Sequence, residues 1–152
     1  MQSNYRGLKM ENEWHENIYM TEFGGPSDIN KSAYDGKVLN YKEVFFALPI
    51  RLPKDKLWIE VEYKGKTIEG PIKDIGPHNI KDKNYVLGED RPLAEEQYRT
   101  KIKAQNGHIP RNPAGLDCSP AAMDKLGVKG PIDTRSVKGV KWRFKKISTE
   151  LA

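Results

Sequence analysis

The clearest order in the chain is the alternation in "KLWIEVEYKGKTIEGPIKDIGP", residues 56–77. Leu57, Ile59, Val61 and Tyr63 alternate with Trp58, Glu60 and Glu62, the period of a strand with one face on a core. Lys64-Gly65 interrupts the pattern as a hairpin turn does, and a second strand is expected to run to about Asp74. The same period returns in "VKGVKWRFKK", with Val140, Trp142 and Phe144 on one side and Lys141, Arg143 and Lys145 on the other. That predicts a half-buried final strand with a basic outer face and Trp142 in the core. "EVFFALP", Glu43 to Pro49, is apolar enough for a short strand buried on both faces. "NIYMTEFGG", Asn17 to Gly25, reads as a strand closed by paired glycines. Trp58 shares the Glu60/Glu62 face; it either stacks on a ligand ring or lies under a helix or arm.

Helical spacing is confined to two places. "DRPLAEEQYRTKIKAQNG", Asp90 to Gly107, predicts a helix with Asp90 as cap, Ala94, Tyr98 and Ile102 on one stripe, and Gly107 as its stop. In "AGLDCSPAAMDKLG", Ser119 is a good N-cap, Pro120 suits the first helical position and Gly127 ends the helix. Several short strands with little helix point to a small closed β-barrel. No internal repeat or low-complexity tract is present.

Composition narrows the class. The 152 residues suffice for one core, and 13 Gly and 10 Pro suit a loop-rich domain rather than a helical bundle. No run approaches the roughly 20 apolar residues of a membrane span. Residues 1–17 are polar and aperiodic and read as an arm, without the apolar stretch of a signal peptide; 148–152 reads as a short tail. The single cysteine, Cys118, excludes an internal disulfide and a cysteine-based zinc site, and is expected to pack as a small apolar residue. His15, His78 and His108 have no ligand spacing, so no metal and no cofactor are expected. The formal charge of +5 favours polyanionic partners or simply solubility. No nucleic-acid-binding signature occurs, so nucleic acid is not the expected partner.

The acid in "AGLDCSP" needs a separate account. Asp117 precedes a cap that Ser119 already supplies, so its carboxylate is available for chemistry. The other acid at a turn, Asp74 of "KDIGP", is either a turn carboxylate or a second site group.

Taken in order, "YMTEFGG", "ALP", "IEVEYKGKTIEGPIKDIGP", "GLDCSPAAMDKLGV" and "GVKWRF" resemble the double-psi β-barrel domain of rare lipoprotein A, expansins, barwin-like proteins and the barrel endoglucanases. The resemblance covers roughly Ile18 to Lys146, with a domain at 18–147 and a long helical segment, 78–115, ahead of the Asp117 turn. It implies a mainly β, six-stranded double-psi barrel with short helices, crossed by a polysaccharide-binding groove. Asp117 matches the acid required in expansins and in lytic transglycosylases of this fold. Asp74 matches a second groove acid and Thr21 a hydroxyl beside it. Three positions depart from the pattern. Thr21 stands where endoglucanases carry an aspartate base, Gly76 where expansins carry an aromatic residue, and Cys118 where leucine is usual. Gly24, His78, Asn79, Tyr85 and Arg91 are the expected substrate contacts.

The resemblance implies cleavage of peptidoglycan or another cell-wall polysaccharide by a monomer working outside the cytoplasm, most simply as a lytic transglycosylase. That reaction needs one carboxyl group for both proton transfers, because an internal hydroxyl replaces water. Such a donor must hold its proton above the ordinary aspartate range, by burial or by a like charge from the other acid. Two alternatives stand beside it. One is an expansin-like, non-catalytic wall-binding module. The other is an inverting hydrolase with Asp117 as acid and Asp74 as base, their carboxyls roughly 6.5–9.5 Å apart.

Overall fold

The computed structural model describes residues 13–27, 30–52 and 57–145. It contains β1 (His15–Glu22), β2 (Phe46–Leu48), β3 (Trp58–Tyr63), β4 (Lys66–Ile75), α1 (Lys83–Val86), α2 (Leu93–Thr100), β5 (Leu116–Cys118), α3 (Pro120–Lys125) and β6 (Ser136–Phe144). The strands close a barrel in the order β1-β5-β2-β4-β3-β6. Two pairings, β1/β5 and β2/β4, are parallel, and the others are antiparallel. The expected mainly β, six-stranded closed barrel is thus what the chain forms.

Alternation explains the walls. Ile59 and Val61 of β3 and Val140 and Trp142 of β6 are fully buried and meet Met20, Phe46, Leu48, Ile72, Leu116 and Cys118 inside. Lys64 and Gly65 both have positive φ (50° and 85°), as a two-residue hairpin turn with matching twist requires. Outside, the basic face of β6 lies against acids. Arg143 donates to Glu60 at 2.9 Å, Lys141 sits 3.8 Å from Glu62, and Lys145 donates to Glu69 at 2.6 Å. Glu60/Arg143 and Glu62/Lys141 are directly opposed across the ladder, so this stripe is a set of cross-strand pairs and not a bare cationic patch. Trp14 covers two of those cations, and Trp58, 40% exposed, lies beside Lys145.

Several boundaries differ from those the sequence predicts: β2 is only Phe46–Leu48 and β1 ends at Glu22, before the paired glycines. The first strand begins at His15 rather than Asn17, because His15 stacks on Trp142 at 4.0 Å and joins the core. The strand therefore starts within the expected arm, whose residues 1–12 lie outside the described residues, as does the expected tail. The 90–107 helix is the shorter α2. Its first N–H is satisfied by Asp82 from the preceding turn, 2.8 Å from Leu93 N, and not by Asp90. It ends at Lys101 in a left-handed conformation, well before Gly107. Of the expected stripe only Ala94 is buried; Tyr98 and Ile102 face outward. The helix after Asp117 is as expected. Ser119 caps α3, and Gly127 N–H and Val128 N–H return to Asp124 and Met123 in a Schellman closure.

Candidate active site

Strand register assembles the two acids. Thr21 pairs with Asp117 across β1/β5, Asp117 with Ala47 across β5/β2, and Ala47 with Asp74 across β2/β4. Thr21, Asp117, Ala47 and Asp74 therefore form one row across four adjacent strands. The row lies on the outer face, since Met20, Leu116, Cys118, Phe46 and Leu48 alternate with it and point inward. Strict alternation in β4 would send Asp74 inward beside Ile72. A register shift between the Phe46/Ile72 and Ala47/Asp74 pairs, a one-residue bulge at Lys73, turns Asp74 to the side of Ala47.

The two carboxylates then meet different surroundings. Asp117 is half-buried; its Oδ1 accepts a hydrogen bond from the Thr21 hydroxyl, and its Oδ2 faces Gly76. A Cβ at Gly76 would stand 3.8 Å from that oxygen, so the glycine puts no side chain beside Oδ2. Asp74 is only 7% exposed and lies under the 32–34 turn, with Ala33 N–H donating to it at 2.8 Å. Ser32 fastens that turn through a 2.6 Å bond to the Lys73 carbonyl. Burial raises the Asp74 pKa, opposed by the N–H groups of Ala33 and Ile75. Of the two causes expected for a raised carboxyl in this row, burial and a like charge, the elevation at Asp74 comes from burial. Two interstrand spacings put the Asp117 and Asp74 Cα atoms about 10 Å apart.

The neighbouring groups are settled by their partners. Cys118 is fully buried, and burial, followed by the Asp117 and Glu22 charges, holds its thiol well above the ordinary value, so it is no nucleophile. Ser119 Oγ accepts from Ala122 N–H and Phe45 N–H, which leaves Asp117 out of the cap. His78 stands at the rim, two residues beyond Gly76, with Nε2 3.1 Å from Asn112 Oδ1. Gly24 backs the Phe45 ring, 3.3 Å from where its Cβ would stand.

Three of the expected substrate contacts have other work. Tyr85 is buried in the core, donating to the Gly115 carbonyl at 2.9 Å and accepting from Trp142 Nε1 at 2.7 Å. Asn79, 1% exposed, exchanges two hydrogen bonds with Gln97 and accepts from Gln105 N–H, clasping the 78–115 segment. Arg91 forks onto Glu95 and donates to the Glu16 and Asn17 carbonyls, both at 2.7 Å. None of the three meets the acid row. The sequence reading missed Asn112, which holds His78, and Tyr19, which shares the outward parity of Thr21 in "NIYMTEFGG" and was legible from it.

Among the described residues no group of three or more His, Cys, Asp or Glu is placed to hold a metal, and no helix is long and apolar enough to cross a membrane. No protein-family model and no curated protein matches the chain. Among solved structures it is similar to the Streptomyces papain inhibitor, with a TM-score of 0.51 and 20% identity over 90% of this chain and 97% of that one. The likeness is one of fold.

Proposed function

We propose that this chain is a double-psi barrel protein that cleaves peptidoglycan as a lytic transglycosylase, outside the cytoplasm and as a monomer, with Asp117 as its acid and base. The observation that carries this reading is the asymmetry of the row: one acid half-buried beside a glycine, the other closed under a turn. The Thr21 hydroxyl holds Oδ1 of Asp117, and Oδ2, on the Gly76 side, is assigned the proton transfer. As the anomeric carbon–oxygen bond breaks, that proton passes to the departing sugar's oxygen. The 6-hydroxyl of the same muramic acid bonds to the anomeric carbon, and its proton returns to Asp117. Atoms and charge balance without water. Asp74, covered by Ala33, is poorly placed to activate a water, which weighs against the inverting hydrolase.

Digestion of purified peptidoglycan with product mass spectrometry tests the reading. The expected products carry 1,6-anhydro ends. Hydrated reducing ends would make the protein a hydrolase, and wall binding without released glycan would make it an expansin-like module.

A second reading rests on a different face. Gly24–Pro26 and Val38–Tyr41 border an apolar concavity of about 410 Å³, with Val38 61% exposed. With the fold shared with a papain inhibitor, this surface supports a protein-binding module. Inhibition of papain by the purified chain, lost in Val38→Asp, is its test.

A further inference from the structure

A second concavity, of about 460 Å³, opens where β1 and β6 are both irregular. Between His15/Trp142 and Ile18/Val140 the extra residue is in β1, at Glu16–Asn17; between Ile18/Val140 and Met20/Val137 it is in β6, at Lys138–Gly139. Asn17 and Gly139 take positive φ there, 55° and 73°. Bulges re-aim side chains and open a ladder. These two adjoin, in opposite strands, and residues of both line the hollow with Tyr19 between them. Its far wall comes from α2 and from 111–113. Arg91 binds that wall to the floor, since its guanidinium bridges the bulge carbonyls and Glu95. The residue expected to touch substrate is a positioning residue for this hollow.

The chemistry of the lining is specific. Glu95 is neutralised by the Arg91 fork. Arg111 and Lys138 are exposed and belong to no ion pair among the described residues. Tyr98, 46% exposed, presents a ring beside them, and the Tyr19 hydroxyl is anchored 3.0 Å from Ser136 Oγ. Asn17 and Asn112 add amides suited to hydroxyl or N-acetyl groups. Tyr19 lies on the outward face of β1 two residues, about 7 Å, from Thr21. Asn112 also reaches His78 at the rim of the acid row. The hollow is thus linked to the acid row through Tyr19 of β1 and through the Asn112–His78 contact.

We infer that this hollow is a subsite for a saccharide unit bearing a carboxylate, with the sugar ring against Tyr98 and Tyr19 and the anion between Arg111 and Lys138. The inference rests on the Asp117 reading for its glycan and on the bulged hollow for its charge preference. The carboxylate has two sources, the lactyl group of muramic acid and the C6 acid of a uronic acid. Titration calorimetry with a muramic-acid-containing disaccharide, a uronic acid trisaccharide and neutral chitotriose separates them. Either acidic probe should bind more tightly than chitotriose, and the tighter of the two names the source. Arg111→Gln and Lys138→Gln should each weaken the acidic probes about tenfold, the scale of one hydrogen bond to a charged group, and leave chitotriose unchanged. Tyr98→Ala should weaken all three. Equal binding of the three probes, or unaltered affinity in the double Gln variant with its Tm preserved, overturns the subsite. Acid-selective binding by a protein that releases no glycan would remove the catalytic reading and leave the subsite standing. Glycan release with no acid preference would do the reverse.

Discussion

At the scale of single residues, the acid row holds two aspartates with different solvation. Asp117→Asn keeps the shape and the bond from Thr21 but cannot exchange a proton. It is expected to unfold within a few degrees of the parent while turnover falls roughly 10²–10⁴-fold, the usual share of a positioned general acid–base. Parallel melting and product-release measurements check this, and a large fall in Tm would make Asp117 a turn carboxylate instead. Asp74 carries an opposite expectation. Its folded-state pKa is raised by burial, so the folded chain holds that proton more tightly than the unfolded one. The stability it contributes is complete below the ordinary aspartate value, about 3.9, and is lost as pH rises through the raised folded value. Asp74→Asn, which can still accept from Ala33, should melt with the parent in acid and above it at neutral pH. A Tm difference independent of pH would contradict the assignment. That Asp117 stands outside the α3 cap was legible, because its neighbours Ser119 and Pro120 announce a cap that does not need it. The burial of Asp74 was not, since it depends on a bulge against β2 and on the turn at Ala33, 41 residues away.

At the scale of elements, legibility follows how local the determinants are. β3 and the Val140–Phe144 part of β6 could be read because their alternation is strict and each buries one face, whereas the bulge at Lys138–Gly139 could not. α3 could be read because cap, first turn and closure lie within ten residues of sequence. α2 could not, because its cap arrives from Asp82, a residue eleven positions earlier that no local pattern links to Leu93. The roles of Tyr85 and Asn79 were hidden for the same reason, their partners being Gly115 and Trp142 for one and Gln97 and Gln105 for the other. The cap assignment is open to test by circular dichroism during thermal unfolding. Asp82→Ala should cost about 0.5–2 kcal/mol, the range for a lost N-cap, whereas Asp90→Ala should be close to neutral. The reverse ranking would return the cap to Asp90.

At the scale of the whole molecule, β1 is tied to the barrel by a buried ion pair as well as by its ladders. It pairs with β5 on one side and β6 on the other, carries Thr21 into the acid row, and ends at Glu22. Glu22 and Arg135 are an ion pair 2.5 Å apart whose side chains are 0% and 4% exposed. Arg135 also donates to Asp124 at 2.7 Å and to the carbonyls of Val128 and Pro120, so one guanidinium joins β1, α3 and the entry to β6. Glu22 in turn accepts from the backbone N–H groups of Asp133 and Arg135. A buried pair of this kind need not add net stability over apolar packing, but removing one partner strands a charge away from water. Arg135→Gln should therefore cost about 3–5 kcal/mol. For a chain of this size that corresponds to a fall in Tm of roughly 6–20 °C. The double variant Glu22→Gln, Arg135→Gln keeps an acceptor for the two N–H groups and leaves no unpaired charge buried, since Asp124 is solvent-exposed. It should melt above Arg135→Gln alone, a non-additivity expected of residues in direct contact. Denaturant melts of the two single variants and the double variant provide the cycle. An Arg135→Gln protein within 1 kcal/mol of the parent, or a double variant less stable than the single, would show that solvent screens this pair and that β1 is held by its ladders alone.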